Sequence, residues 1–224
     1  ETLSGGMTVS LDGNAAHYLA QVLRMGVGAS ILLCDNQTGT WRTELIEVGK
    51  RRVMAHVAEQ VKPREAVPDL WLCVSPIKKP RFDAIAEKAC ELGVARFIPV
   101  RTARSIVDKI KPDRLAATMV EAAEQCERNA LPDIADMTTL SALLKDWPDG
   151  RHLFFCDEHL QGDGAANMAS RVASHAGPAA ILIGPEGGFT REEQALINTH
   201  PAAVPVSLGP RILRADTAAV AALT

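Results

Sequence analysis

The stretches IGPEGGFT (residues 183–190) and LGPRILRADTA (residues 208–218) decide the fold. Each sets a tight, glycine-bearing turn directly after an apolar, strand-like run. AAILIG leads into the first and VPVSLG into the second. Glycine adopts positive φ at no steric cost and lets a ligand approach the backbone closely. Two such turns, about one α/β unit apart, can form facing walls of a small-molecule site made largely of backbone. The carboxyl ends of parallel strands are where open α/β sheets bind ligands. Neither turn is a familiar nucleotide loop, because the chain has no GxGxxG and no GxxxxGK[ST]. GPEGG by itself also fits an ordinary strand-to-helix turn, so the information lies in the pair.

Working outward, residues from Pro68 onward alternate between strand and helix patterns. DLWLCVS, RFIPV, HLFFCDE and AAILIG read as strands. Arg81 to Leu92 reads as a helix with Phe82, Ile85, Ala86 and Ala89 on one face, ending at Gly93. Further helices are expected over Asp113–Asn129, stopped before Pro132, over Thr139–Trp147 and over Gly164–His175. Thr190 starts another, with Glu193 three residues on as a capping box. This alternation predicts a parallel sheet covered by helices.

The first sixty or so residues have a different rhythm. MTVSL, SILLCD, WRTELIEV and RRVMAHVAEQV are alternating or short apolar runs broken by Gly, Asp and Asn. With one short helix at Asn14–Met25 they predict a small β-barrel. VKPREAVP, residues 61–68, carries two prolines and charge and reads as a linker. The chain begins at Glu1 without Met and stops at Thr224 inside an alanine-rich, helical run, so both ends are expected to be incomplete.

Composition narrows the classes. No stretch reaches membrane-spanning length, and no basic region followed by an apolar run marks a signal peptide. The five cysteines (Cys34, Cys73, Cys90, Cys126 and Cys156) are scattered, odd in number and without a CxxC pair. They predict neither zinc nor a disulfide framework but reduced, core-packed thiols of a cytoplasmic protein. His56, His152, His159, His175 and His200 have no ligand spacing, so no metal is expected. The net charge of −3 argues against a broadly basic nucleic-acid binder. Lys78 to Arg104, however, holds seven basic and three acidic residues, a local +4. Such a stretch is either a phosphate-binding patch or an ordinary solvated face.

Read together, IGPEGGFT followed by LGPRILRADTA resembles the cofactor loops of SPOUT-class RNA methyltransferases, above all the bacterial uridine-N3 methyltransferases of small-subunit (16S) ribosomal RNA. The similarity extends from about residue 14 to the end. It includes His17 with the VLRM run, Lys78 and Arg81 before KACELGV, TARS at 102–105 and EQCERNALPDI at 124–134. The last block carries Glu124, Gln125, Arg128, Asn129 and Pro132. Two positions depart from the family pattern: Glu87 stands where Gln is usual and Asp216 where Glu is usual.

The resemblance implies an α/β SPOUT domain over residues 68–224, with a parallel sheet and a deep trefoil knot. It implies a PUA-like RNA-binding β-barrel over residues 1–64. It further implies a homodimer whose cofactor pocket lies at the subunit interface, with 16S ribosomal RNA as partner, free or within the assembled small subunit, and no membrane. The implied cofactor is S-adenosylmethionine, held by Ile183, Gly184, Pro185, Glu186, Gly187, Gly188, Leu208, Gly209, Ile212, Leu213, Arg214 and Ala215. Backbone groups would meet the adenine edges, and Leu208, Ile212 and Leu213 its faces. Glu186 either holds its loop by accepting backbone N–H bonds or lies near the sulfonium. Arg214 is the implied catalytic residue, stabilising a deprotonated uracil; the alternative is a structural ion pair with Asp216 or Glu186. His17 reads as structural. Arg24, Lys78, Arg81, Arg104 and Arg128 are the candidate RNA-phosphate contacts. Rival functions are a SPOUT enzyme acting on ribose or transfer RNA, a non-catalytic RNA-binding assembly factor, and a small-metabolite enzyme, the last lacking any phosphate loop.

Overall fold

The computed structural model describes residues 2–160 and 164–224; Glu1, the first residue of the expected barrel, lies outside them. The chain forms two compact units, Glu1–Ala66 with Arg128–Ala130, and Val67–Glu127 with Leu131–Thr224.

In the first unit, β1 (Thr8–Asp12), β2 (Ser30–Cys34), β3 (Gly39–Val48) and β4 (Arg52–Pro63) form an antiparallel sheet in the order β1-β4-β3-β2. Strand side chains alternate between faces, and Val53, Ala55 and Val57 of β4 point every second residue into a core with Leu3, Val9, Ala16 and Leu45. The expected helix over 14–25 is shorter. A single α-turn pair, α1 (Gly13–His17), passes into a π-turn at Tyr18–Val22, and Arg24 at φ 52° is left-handed. β4 runs into the stretch expected as linker, because Lys62 and Pro63 pair with Thr40 and Gly39.

The second unit is a parallel sheet of β5 (Leu70–Val74), β6 (Arg96–Arg101), β7 (Asp133–Ile134), β8 (Thr138–Thr139), β9 (His152–Cys156), β10 (Ala179–Ile183) and β11 (Ala203–Val206). The order is β11-β9-β10-β5-β6-β7, with β8 also on β6. The chain fills one side of β5 first, then returns to the other. Helices are α2 (Arg81–Glu91), α3 (Pro112–Cys126), α4 (Leu140–Lys145), α5 (Met168–Ala173), α6 (Arg191–Asn198) and α7 (Ala215–Leu223). Both faces of the sheet are buried, as parallel sheets require. Leu72, Val74, Phe154, Ile181 and Ile183 meet residues of α2, α3 and α7, among them Phe82, Ile85, Met119 and Ala219. The alternate residues Cys73, Leu153, Phe155, Ala180 and Leu182 meet Leu140 and Leu144 of α4 and Ile197 of α6.

Two helices end differently from the sequence expectation. α3 stops at Cys126 and Glu127 turns left-handed, because the next residues belong to the first unit. There Asn129 is buried: its Nδ2 donates to the Pro63 carbonyl at 2.9 Å, and its Oδ1 accepts from Glu65 N–H at 2.8 Å. The helix expected over 164–175 is split into a 3-10 turn (Gly164–Ala166) and α5. The backbone of Ser207 competes for its bonds, donating to the Ala166 carbonyl at 2.7 Å and accepting from Met168 N–H at 3.1 Å. α6 carries the capping box read from Thr190 and Glu193.

Candidate cofactor and active site

The carboxyl ends of β9, β10 and β11 are neighbours, and the segments leaving them enclose a cleft of about 210 Å³. From the expected cofactor set it is lined by Ile183, Gly184, Pro185, Glu186, Gly188, Leu208, Gly209, Ile212, Leu213, Arg214 and Ala215. The two glycine turns therefore do face one cavity. Ile183, Val206 and Ala215 are buried and give it an apolar floor, while Ile212 at the rim is 65% exposed.

Gly184 is required by a packed neighbour and Gly188 by its backbone conformation. Gly188 has φ +66°, and its N–H closes the turn onto the Pro185 carbonyl at 2.9 Å. A Cβ there would lie 2.6 Å from Glu158 Oε1. A Cβ on Gly184 would lie 2.7 Å from the Phe189 ring, which stacks edge-on against Phe155 at 5.3 Å. Gly187 does not line the cleft. It packs under Arg104, whose Nη1 donates to the Gly187 carbonyl at 2.5 Å.

The backbone is only partly as expected. The Ile183 carbonyl already accepts from Ser75 N–H at 3.0 Å. Leu208, Ile212 and Leu213 have no backbone hydrogen bond to protein among the described residues, so their N–H and C=O groups stay available at the cleft. Glu186 is exposed, and its carboxylate accepts no bond among the described residues; it does not brace its loop. Arg214 stands at the N-cap of α7, exposed and without an ion pair among the described residues. Asp216 instead pairs with Arg81 at 3.7 Å.

Sequence reading missed several lining residues. Glu158 follows β9, Gln194 sits on α6, and buried Ser207 follows β11, its Oγ accepting from Gly209 N–H at 3.3 Å. Ser207 stands in VPVSLG and Glu158 closes HLFFCDE, so the signal for both was a place just after a strand; Gln194, inside α6, carried none. Cys156 also lines the cleft, but burial pushes its thiol up to about 12, so it is not a thiolate nucleophile at neutral pH.

The basic candidates do not form one set. Lys78 and Arg104 are exposed in the second unit, Arg81 is half-buried there, and Arg24 is exposed in the first. Arg128 must be corrected: its side chain is 5% exposed and lies 3.3 Å from Glu65 Oε1, so it is a structural cation and not a phosphate contact. His17 is exposed. No helix is long and apolar enough to cross a membrane among the described residues.

Known proteins match this architecture in both units. A family model described as RNA methyltransferase domain matches residues 63–224, and one described as RNA methyltransferase PUA domain matches residues 11–57. A ribosomal RNA small subunit methyltransferase E of Bacillus subtilis is 31% identical over 97% of this chain and 88% of its own. That of Rickettsia conorii is 30% identical over 92% of this chain and 84% of its own. The crystal structure of the Neisseria gonorrhoeae protein of that name, bound to S-adenosyl methionine, superposes with a TM-score of 0.86 at 29% identity, covering 100% of this chain and 92% of that one. A methyltransferase from Legionella pneumophila, in complex with the cofactor SAM, gives a TM-score of 0.83 at 27% identity, covering 100% and 92%. With a PUA-like first unit, a parallel α/β second unit and these matches across nearly the whole chain, the protein belongs to the ribosomal RNA small subunit methyltransferase E family of RNA methyltransferases.

Proposed function

We propose that this protein uses S-adenosylmethionine to methylate N3 of a uridine in small-subunit (16S) ribosomal RNA. The observation that carries the reading is the cleft between IGPEGGFT and LGPRILRAD, with its apolar floor, unspent backbone groups and an unpaired arginine at its edge. The family membership supports ribosomal RNA as the substrate, and the two SAM-bound neighbours support the cofactor.

The cleft fits this cofactor. An adenine has hydrogen-bonding edges and apolar faces; the free backbone groups of Leu208, Ile212 and Leu213 suit the edges, and Ile183 and Val206 the faces. When bound, S-adenosylmethionine supplies the electrophilic methyl group that a nitrogen nucleophile attacks in line. The chain's own task is to orient the uracil and favour loss of its N3 proton. Arg214 is suited to that, because a guanidinium brought near O2 or O4 stabilises the anion. Pairing hides N3, so the target uridine is unpaired or flipped out.

The resemblance adds a trefoil knot in the second unit and a homodimer that completes the pocket, in the cytoplasm. The exposed Ile212 and a cleft smaller than the usual ~300–1,000 Å³ of small-molecule sites support completion by a second copy. The test is mass spectrometry of ribosomal RNA from a strain lacking the gene. Loss of N3-methyluridine, restored by the purified protein with S-adenosylmethionine, is expected; an unchanged N3-methyluridine content would overturn the reading.

A further inference from the structure

The turn after β6 is fastened to the loop after β10 at one point and to the first turn of α6 at another. Arg104 Nη1 donates to the Gly187 carbonyl at 2.5 Å. Ala103 N–H donates to Glu193 Oε1 at 2.7 Å, while Glu193 Oε2 accepts from Thr190 N–H at 2.9 Å. The turn is itself braced. Ser105 Oγ accepts from Thr102 N–H at 2.9 Å and lies 2.7 Å from Ser75 Oγ, and Ser75 is fully buried. Gly187 packs against the Arg104 stem: a Cβ on it would sit 3.4 Å from Arg104 Cβ and Cδ.

Arg104 is exposed, and the bond to Gly187 is its one hydrogen bond or ion pair among the described residues. A guanidinium carries five N–H donors in a planar fork. The donors not used by Gly187 remain for an anion from solvent. Of the neighbouring acids, Glu193 is held by the two backbone N–H groups above; Glu192 is stabilised first by its own backbone N–H and the Thr190 hydroxyl, and it feels the Arg104 charge without forming an ion pair with it.

We infer that Arg104 couples the two ligands: one guanidinium holds the Gly187 carbonyl of the cofactor loop and a backbone phosphate of the RNA together. Arg side chains lose rotamer freedom when fixed. A cofactor that orders the 184–188 loop orders the Gly187 carbonyl that holds Arg104, and a phosphate that fixes Arg104 orders that carbonyl in turn; each ligand therefore lowers the ordering cost met by the other, which is positive coupling. This rests on the cofactor and RNA reading above. It gives Arg104 a positioning role beyond that of a simple phosphate contact.

The test is a linked titration with S-adenosylhomocysteine and a small-subunit ribosomal RNA transcript. For the unmodified protein, saturating RNA should tighten S-adenosylhomocysteine about tenfold, and the cofactor product should tighten RNA by the same factor. In Arg104→Gln both factors should fall to one, and the salt slope of RNA binding should drop by roughly one phosphate's worth. Arg104→Lys keeps the charge without the planar fork, so it should restore the slope but not the coupling. If the unmodified protein binds no S-adenosylhomocysteine, the cofactor reading fails. If it binds both ligands but RNA leaves the product affinity unchanged, or if Arg104→Gln keeps the full coupling, the bridging role of Arg104 is overturned while the cofactor reading stands.

Discussion

Arg81 Nε lies 3.7 Å from Asp216 Oδ2, tying the start of α2 to the first turn of α7 and leaving Arg214, two residues earlier, without an ion pair among the described residues. Asp216, in the first turn of α7, thus reaches across to another helix. Both side chains keep about a third of their surface, 38% and 29%, so solvent screens the pair. Asp216→Asn should cost no more than ~1 kcal/mol in urea unfolding. It should leave RNA affinity equal or higher, because Arg81 loses a competitor for phosphate. A drop in RNA affinity would show that the pair orients Arg81 for binding.

Gly188 combines a left-handed φ of +66° with the Glu158 carboxylate where a Cβ would stand. Gly188→Val meets both penalties. We expect weaker S-adenosylmethionine binding by calorimetry and a stability loss of roughly 1–3 kcal/mol. Glu158→Ala in the same chain should recover the steric part and leave the backbone part. Wild-type cofactor affinity in Gly188→Val would place the cofactor elsewhere.

Much of this site was legible because its information is local. Apolar runs ending in glycine mark strand ends, and Thr190 with Glu193 marks a helix start, all within a few residues. What was not legible depends on partners far along the chain. Nothing around Glu158 announces that it faces Gly188. Nothing around Gly164 announces that Ser207 will take the bonds of a helix. Arg128 was misread because EQCERN looks like one helix with a solvated face, whereas Glu127 turns left-handed and Arg128–Ala130 join the first unit. Gly187, expected among the cofactor contacts, lies outside the cleft and at ordinary contact distance from the Arg104 stem.

Arg128 offers a test of that correction. Its side chain is nearly sealed beside Glu65, and removing one partner of such a pair strands the other. Arg128→Ala should destabilise the first unit by about 2–4 kcal/mol, the lower end reflecting the partly exposed Glu65. The salt slope of RNA binding, measured well below the melting point, should not change. A slope reduced by about one contact would return Arg128 to the RNA surface.

Asp35 makes the first unit acid-sensitive. Burial acts to raise its pKa. That is outweighed by N–H bonds from Leu3, Thr38 and Gln37 and by the Thr38 hydroxyl, which hold the carboxyl well below the usual range. A group whose folded pKa is depressed stabilises the fold fully above its unfolded value, roughly 3.9. That contribution is lost as pH falls from there toward the folded value. Stability should therefore be level in Asp35 terms above about pH 5 and fall below about pH 4. Asp35→Asn should remove about 2–3 kcal/mol near neutrality and flatten the decline below about pH 4. Equal acid sensitivity in the two proteins would assign the decline to other carboxylates.

Arg214 is expected to act on the chemical step. It caps α7 at the edge of the cleft, is exposed, and has no ion pair among the described residues, since Asp216 is taken by Arg81 and Glu186 accepts nothing. The alternative of a structural pair with either acid is thereby not what the side chain does. Uridine N3 is a weak acid, and little anion exists at neutral pH without help. Losing one preorganised charge contact costs roughly 10²–10³ in rate. Arg214→Ala should lower single-turnover methylation by about that factor, with S-adenosylmethionine affinity nearly intact, because the side chain holds the loop by no hydrogen bond or ion pair among the described residues. Raising the pH should partly rescue the variant, since bulk solvent then removes more of the N3 proton. The wild-type protein should gain less over the same range. Methylation at the wild-type rate would deny Arg214 a chemical role, and a loss of cofactor affinity in proportion to activity would make it a residue of the binding loop.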